Sequence, residues 1–378
     1  MSRSSGIGIW SDQFETRAKV HINFWKFDRT MQADCHFLDI GVLLQKINPS
    51  NGEDEISSPV IKLYFPFPID KREIEDLYEK TVIKGSIYLI FNKSDLTVNI
   101  CEPQGYAQIS NLLPEKDVYA SAIPRIEVCP KDHQTVTLEM AKSLKKDDNA
   151  YLRIRVYLNQ DTTKFFSQKF RPRTSFLLPS FSEIEHVSFN INERRSLPST
   201  ISTDIVKKKF QMTAVDFFLV RESEASLLSQ YSPFKRCREL EHNIWSAYLP
   251  TDAKDFNIKL AYHWQEKIKD EQSEEYIEHF GAFAKFSYNN DGFMVIIMYL
   301  AIALFLGILA GSGGNLISDS NTTKQVFFEH SSPEIIKNIV GVTTVTFIGL
   351  VLILKILQMI NLRRFFKYIC HKIRSCIN

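Results

Sequence analysis

Two arginines between two tyrosines form the segment of the chain best suited to binding chemistry. The stretch Tyr151-Leu-Arg-Ile-Arg-Val-Tyr157 alternates polar and apolar residues, the pattern of a half-buried β-strand. Alternate strand residues share a face, which predicts one solvent-facing row of Tyr151, Arg153, Arg155 and Tyr157. Guanidinium groups bind phosphate in a bidentate manner and pack on aromatic rings. The row therefore predicts an anion site for a nucleotide or oligonucleotide; the alternative is an exposed strand face with solubilising arginines.

Known catalytic motifs are absent from the sequence. It has no Walker-type phosphate loop, no dinucleotide-binding glycine pattern, no nucleophile elbow and no HExxH zinc motif. The nine histidines show no metal-ligand spacing, and the six cysteines form no CxxC pair. We therefore assign no catalytic residue, metal or cofactor and predict a non-enzymatic function.

Two long apolar stretches predict membrane-spanning helices. Residues 293–311 carry no charge, and residues 339–360 are apolar apart from a few polar positions; about 20 apolar residues cross a bilayer. Lys and Arg concentrate after residue 360, which places the C-terminus in the cytoplasm by the positive-inside rule. Two spans then place the N-terminus there too. The predicted localisation is the cell inner membrane, as a multi-pass protein in contact with the lipid bilayer.

Small and polar residues in these stretches predict helix association. Ala303, Gly307 and Gly311 recur every four residues and share one helix face, as in small-xxx-small packing motifs. The second stretch carries polar side chains that are costly in lipid unless they face another helix or water; they are Thr343, Thr344, Thr346 and Lys355. The pattern predicts a homo-oligomer that forms a pore or channel. The alternative is packing of the two helices within one chain.

The rest of the chain is predicted to be β-rich. Period-two alternation indicates strands around residues 20–24, 61–67, 151–158, 210–220 and 257–264. Helices are predicted after Asp70, where Glu73 completes a capping box, over residues 234–249, and over residues 271–286 leading into the membrane. No period of 20–50 residues repeats. The predicted fold class is α+β, a β-rich cytoplasmic domain followed by a two-helix transmembrane hairpin.

A segment rich in proline and charge after residue 160 suggests a domain boundary. The predicted regions are 1–160, β-rich; 161–292, α+β with the helix leading to the membrane; 293–360, the two transmembrane helices; and 361–378, a basic juxtamembrane tail. The overall net charge is +2. Residues 293–378 carry +5 and residues 1–292 carry −3, so bulk charge does not favour nucleic-acid binding by the β-rich part.

A β-rich cytoplasmic domain followed by the spans FMVIIMYLAIALFLGILAG and VTTVTFIGLVLILK resembles the membrane effectors of bacterial anti-phage defence systems, notably the two-span effector of Hailong-type systems. The resemblance implies a partner nucleotidyltransferase whose product is the ligand. The expected function is an oligomeric effector in antiviral defence, in which ligand sensing controls an ion channel. A membrane-anchored enzyme, which requires carboxylates or histidines in one pocket of residues 1–292, and a tethered scaffold are the alternatives.

Overall fold

The chain divides into two units, Met1–Asn289 and Asn290–Asn378. A computed structural model describes residues 6–27, 36–49, 55–56, 59–82, 86, 90, 96–101, 106–111, 119–140, 143–145, 148–170, 182–207, 209–223, 225–230, 234–241, 245–250, 259–270, 273–289, 300, 303–304 and 306–307. The second unit is therefore described at only five positions, and the fold below is that of the first unit.

Strands dominate the described part of the chain. They are β1 Gly6–Trp10, β2 Phe14–Trp25, β3 His36–Pro49, β4 Glu55–Ile56, β5 Val60–Tyr64, β6 Ile74–Asp76, β7 Leu96–Cys101, β8 Tyr106–Asn111, β9 Tyr119–Ala122, β10 Pro124–Val128, β11 Thr135–Met140, β12 Leu144–Lys145, β13 Ala150–Leu158, β14 Ser167–Phe170, β15 Ser182–Ile191, β16 Phe210–Glu222, β17 Ala225–Gln230, β18 Arg236–Glu239, β19 Lys259–Lys267 and β20 Phe280–Asn289. The strands predicted from alternation coincide with β2, β5, β13, β16 and β19, which confirms the β-rich prediction.

Helices in the described part are few and short. They are α1 Tyr78–Val82, α2 Gln160–Thr163 and α3 Ser199–Val206, with 3-10 turns at Lys71–Glu73 and Arg194–Ser196. The predicted capping box is confirmed, since Asp70 accepts from the Arg72 backbone N–H and Glu73 accepts from that of Asp70. It caps only one 3-10 turn, because the chain continues directly into β6.

Two of the predicted helices are wrong. Residues 234–249 contain β18, and residues 271–286 run into β20, which pairs with β15 along ten residues. In β20 the buried side chains alternate with exposed or half-buried ones; the buried set is Phe280, Ala282, Ala284 and Phe286. A period of two is the pattern of a strand packed on one face, so no helix leads towards residue 293 from this segment.

The strands form two large sheets, with β4 and β12 paired separately. Sheet I has the order β10-β11-β5-β1-β15-β20-β17, with β14 also paired to β15. Sheet II has the order β18-β19-β16-β2-β3-β13-β9-β8-β7, with β6 also paired to β13. Strands from before and after residue 160 take part in both sheets.

The same strand connectivity occurs twice in this arrangement. In the N-terminal part, β1 pairs antiparallel with β5 in sheet I, and β2 pairs antiparallel with β3 in sheet II. In the C-terminal part, β15 pairs with β20 in sheet I, and β16 pairs with β19 in sheet II, again antiparallel. Parallel pairing of β1 with β15 and of β2 with β16 joins the two sets.

The main hydrophobic core lies between the two sheets. Phe189 of sheet I stacks on Phe217 of sheet II with ring centroids 4.6 Å apart, and Tyr262 of sheet II meets Phe286 of sheet I at 5.4 Å. Burying one such side chain contributes about 1.5–3 kcal/mol. Even-numbered residues of Ala18–Phe24 in β2 and of Leu38–Leu44 in β3 face this core. Their odd-numbered neighbours therefore lie on the opposite face of sheet II, here called the outer face.

No helix formed by the described residues is both long and apolar enough to span a membrane. This finding corrects the predicted fold class with its transmembrane hairpin, the multi-pass inner-membrane localisation and the description as an ion channel. Of the first predicted span, the structure describes Leu300, Ala303, Leu304, Leu306 and Gly307, which are helical and exposed. Gly311, Thr343, Thr344, Thr346, Lys355 and the basic tail lie outside the described residues.

Candidate functional site

The outer face of sheet II carries polar side chains in register across its strands. The central row contains, from β18 to β6, Arg236, His263, Phe218, Asn23, Asp39, Arg155 and Glu75. A second row contains Gln265, Asp216, His21, Gly41 and Arg153. The third row is mostly apolar and contains Arg238, Ala261, Val220, Trp25, Phe37 and Tyr157. Strand pairing alone therefore gathers residues that are up to about 240 positions apart in sequence.

Asp39 is the centre of a buried hydrogen-bond network in these rows. Arg155 donates to it from Nε (2.7 Å) and from a terminal nitrogen (3.1 Å), in a bidentate pair. Trp25 Nε1 and the Tyr248 hydroxyl donate to the same carboxylate at 3.0 and 2.7 Å. Burial disfavours the charge of Arg155, yet Asp39 holds the pKa of Arg155 above its ordinary value. Arg155 therefore keeps its charge inside the protein.

Arg153 is held by neutral groups instead. Its Nε donates to Tyr248 Oη at 2.8 Å and another nitrogen donates to Tyr151 Oη at 3.1 Å, while Asp39 is 3.9 Å away. With its amide oriented to satisfy both neighbours, Asn23 accepts from Arg153 at 3.1 Å. Asp39 makes its hydrogen bonds with Arg155, Trp25 and Tyr248, so it is a more distant counter-ion for Arg153, whose own hydrogen bonds go to neutral groups.

The structure confirms that the four residues predicted to bind an anion lie on one face of a strand, but it shows that this face is covered rather than exposed to solvent. Tyr151, Arg153 and Arg155 are buried on β13. Tyr157 is half-buried, and its hydroxyl donates a hydrogen bond to the Glu75 carboxylate at 2.6 Å. The prediction that these side chains face solvent is wrong, because aromatic and aliphatic residues cover the outer face; they include Leu77, Trp245, Tyr248 and Leu249. Only Arg153 of the four reaches the cavity described below. Their role in ligand binding stays a prediction.

Gly41 provides the space that Arg153 and Tyr151 occupy. A Cβ atom at position 41 would overlap the Tyr151 hydroxyl and lie 2.9 Å from an Arg153 nitrogen. Gly41→Ala is therefore expected to lower the free energy of unfolding by about 1–3 kcal/mol through overpacking, although alanine is ordinarily preferred to glycine in a strand. Urea unfolding followed by tryptophan fluorescence measures it.

Gly281→Ala is a control, since its Cβ would meet only the side-chain oxygen of Asn190, at 3.1 Å. We expect a smaller loss there. A Gly41→Ala variant as stable as the wild type would show that the close packing of Tyr151 and Arg153 is not required.

A cavity of about 250 Å³ opens on the outer face beside Arg153; we call it the outer cavity. Its lining comprises His21, Asn23, Ile90, Arg153, Asp216, Phe218, Val220, Lys235, Arg236, Arg238, Leu240, Trp245, Ala261, His263 and Gln265. The edge strand β18 supplies two exposed arginines, Arg236 and Arg238. Within the described part of the chain, no carboxylate pairs with either of them.

An aspartate lies between two histidines in this cavity. His263 Nε2 is 2.6 Å from Asp216 Oδ1, Gln265 donates to the same oxygen at 2.7 Å, and His21 Nε2 is 3.9 Å from the other oxygen. Burial lowers the pKa of His21 to about 4 despite the attraction of Asp216, so His21 is neutral at pH 7. Burial raises the pKa of Asp216, but the hydrogen bond from His263 and the nearby His21 bring it below its ordinary value.

The charge of the outer cavity is strongly positive. Four cationic side chains, Arg153, Lys235, Arg236 and Arg238, line it together with one carboxylate, that of Asp216. Cationic side chains that line a concave site attract anions. Among the described residues, no group of three or more His, Cys, Asp or Glu side chains is arranged to hold a metal ion.

Several residues of this site carry no motif in the sequence. They are Asp39, Asp216, Tyr248, Arg236, Arg238 and the histidines at 21 and 263. Asp39 offers one pattern: it interrupts the apolar run from Phe37 to Leu44, in a strand buried on both faces. A carboxylate in such a run requires a partner, which indicates a buried cation without telling which one.

Comparisons with known proteins add little to this geometry. No protein-family model matches the chain, and no curated protein matches it. Among solved structures, the chain is similar to the crystal structure of an M1 zinc metallopeptidase from Deinococcus radiodurans, with 8% sequence identity and a TM-score of 0.28. The match covers 73% of this chain and 42% of the metallopeptidase chain, so this chain spans less than half of its length. A similarity at this level supports neither a fold nor a function.

Proposed function

We propose that the chain is a binding protein for a small phosphate-bearing anion, which it holds in the outer cavity. The observation that carries the proposal is the charge of the lining, four cations against one carboxylate in about 250 Å³. Guanidinium groups match phosphate oxygens in geometry and form charge-assisted hydrogen bonds. This site includes Arg153 of the row predicted from sequence and adds Arg236 and Arg238.

The placement of Arg236 and Arg238 favours a ligand over a purely structural role. Both are exposed on an edge strand and face the cavity that already contains Arg153. Cations brought together without carboxylate partners repel one another, and a bound anion removes that repulsion. Arg155, by contrast, has its counter-ion in Asp39 and serves the packing of the face.

The dimensions of the outer cavity favour a small ligand. Pockets for drug-sized molecules have volumes of about 300–1,000 Å³, and the outer cavity is slightly below this range. Of the two ligand types expected from the sequence, a nucleotide suits it better than an oligonucleotide. Ligand sensing is retained in the proposal, whereas control of a membrane channel is not. The homo-oligomer, the nucleotidyltransferase partner and the resemblance to anti-phage effectors stay predictions.

Replacing both Arg236 and Arg238 with alanine is expected to weaken the binding of inorganic pyrophosphate at least 10-fold, measured by calorimetry on the full chain. A hydrogen bond to a charged group contributes about 1.5–3 kcal/mol, and about 1.4 kcal/mol corresponds to a factor of ten. The fold is expected to survive because both side chains are exposed. Arg125→Ala, at an exposed arginine of sheet I, is the matched control and should bind like the wild type.

Pyrophosphate that binds the double variant as tightly as the wild type would refute the proposed site. Failure of the wild type to bind phosphate or pyrophosphate would refute the proposed function.

A second candidate is an enzyme that acts on the same ligand. The pairing of Asp216 with His263 in the outer cavity favours it, since a carboxylate that orients a histidine is a common general-base arrangement. It also meets the requirement for histidines and a carboxylate in one pocket. Incubation with p-nitrophenyl phosphate tests it: nitrophenolate release that is lost in His263→Gln would support the enzyme, and no release would leave binding alone.

A further inference from the structure

The outer cavity has two chemically different halves. The polar half contains Arg153, Asp216 and Gln265, and the apolar half contains Ile90, Val220, Leu240, Trp245 and Ala261. Between them, the Phe218 and His263 rings stack with centroids 4.1 Å apart and an interplanar angle of 9°. A phosphate group alone would occupy the polar half and leave the apolar half in contact with water. Burial of apolar surface favours a ligand with a second, apolar part.

Trp245 indicates what kind of group fits the apolar half. Its side chain is buried against Trp25 and Tyr248, with ring centroids 5.3 and 5.5 Å away. Its indole Nε1–H nevertheless finds no acceptor among the described residues. A buried donor without a partner is destabilising, and such groups are rare in folded proteins. A ligand atom that accepts this hydrogen bond would remove the deficit.

An aliphatic group offers no acceptor, whereas a heteroaromatic ring has nitrogen and oxygen acceptors at its edge. Flat rings also pack well on aromatic side chains. We propose that the ligand is a mononucleotide whose base occupies the apolar half against Trp245. This inference rests on the proposed anion site. Its phosphate lies among Arg153, Arg236 and Arg238. The volume of about 250 Å³ limits the ligand to about one nucleotide.

Calorimetry on the full chain tests the base directly with a ligand series. The probes are pyrophosphate, ribose 5-phosphate, AMP, GMP, CMP and UMP. At least one nucleotide is expected to bind at least 10-fold more tightly than ribose 5-phosphate. Trp245→Phe, which keeps an aromatic ring but removes the N–H, is expected to reduce that preference at least 3-fold and to leave the affinity for ribose 5-phosphate unchanged.

Trp10→Phe is the matched control. Trp10 is also a buried tryptophan whose Nε1–H has no acceptor among the described residues, but it lies on β1 of sheet I in a different hydrophobic cluster. The control should keep the nucleotide preference of the wild type.

The outcomes separate the two proposals. Equal affinity for ribose 5-phosphate and all four nucleotides would overturn the base-binding inference and leave the anion site intact. The same holds if Trp245→Phe, folded by circular dichroism, keeps the full nucleotide preference. If no phosphate compound binds the wild type, both the anion site and the inference built on it are wrong.

Discussion

Replacing Asp39 with alanine is expected to lower the free energy of unfolding by about 3–5 kcal/mol, the cost of leaving a buried charge without its partner. Arg155 is fully buried and donates two hydrogen bonds to this carboxylate. Trp25 and Tyr248 would lose their acceptor as well. Four donors are thus affected by one substitution, which makes this the largest single-residue effect that we expect. Urea unfolding followed by circular dichroism measures it.

Two further variants make the result specific to the buried pair. In Asp39→Leu combined with Arg155→Met, the charge of Arg155 is no longer left without its partner, and part of the lost stability should return, because apolar replacement of a buried ion pair is often neutral. The donors of Trp25 and Tyr248 still lack their acceptor, so the recovery should be incomplete. Asp12→Ala breaks the exposed pair with Lys62 and should cost less than about 1 kcal/mol. If Asp39→Ala costs no more than Asp12→Ala, the network does not stabilise the fold.

The strands were predictable where one face alone is apolar. In β2, β13, β16 and β19 the core-facing residues alternate with residues of the outer face, with one shift at the bulge between Met212 and Ala214 of β16, and this alternation is visible in sequence. The pattern shows which face of the sheet a residue lies on, but it does not show what covers that face. It could not show that the row on β13 is covered by Trp245 and Tyr248, since that cover comes from residues about 90 positions later.

The helix predictions over 234–249 and 271–286 failed because two periods fit the same residues. In the second segment, Phe280 and Phe283 suit a helical face, while Phe280, Ala282 and Ala284 suit a strand. Pairing with β15 along ten residues decided the outcome. Such long-range pairing overrides local preference, and a single sequence does not contain it.

The candidate site was harder to predict from the sequence than the strands, because its residues are brought together by long-range pairing. Arg153 and Arg155 were identified from their alternation, but Asp39 reaches Arg155 across 116 positions. Asp216 and His21 meet because β2 and β16 pair in parallel across nearly 200 positions. This parallel pair joins two strand sets of equal connectivity whose sequences show no repeat. Their connections differ, since β17 and β18 are inserted between β16 and β19, which is enough to hide a common period.

Replacing Asp76 with asparagine is expected to stabilise the protein at pH 8 and to leave its stability nearly unchanged at pH 4. Burial raises the pKa of Asp76 from 3.8 to about 7, and the neighbouring Glu75 and Glu79 add to this, although the Tyr78 backbone N–H opposes it. The folded state therefore binds more protons than the unfolded state between about pH 4 and 7. The stability contributed by this group is present at acidic pH and is lost as the pH rises towards 7.

The size of the effect follows from the same shift. One pKa unit corresponds to about 1.4 kcal/mol, so the shift sets an upper limit of about 4 kcal/mol on the gain in the free energy of unfolding. Access of water to the partly buried carboxyl reduces the expected gain to about 1–3 kcal/mol. Urea unfolding at pH 4, 6 and 8 measures it.

Asp70→Asn is a control of opposite sign, since hydrogen bonds from Arg72 lower the pKa of Asp70 to about 2. That variant should lose stability at pH 7 and match the wild type near pH 2. An Asp76→Asn variant with the same stability difference at pH 4 and pH 8 would show that this carboxyl does not titrate between those values.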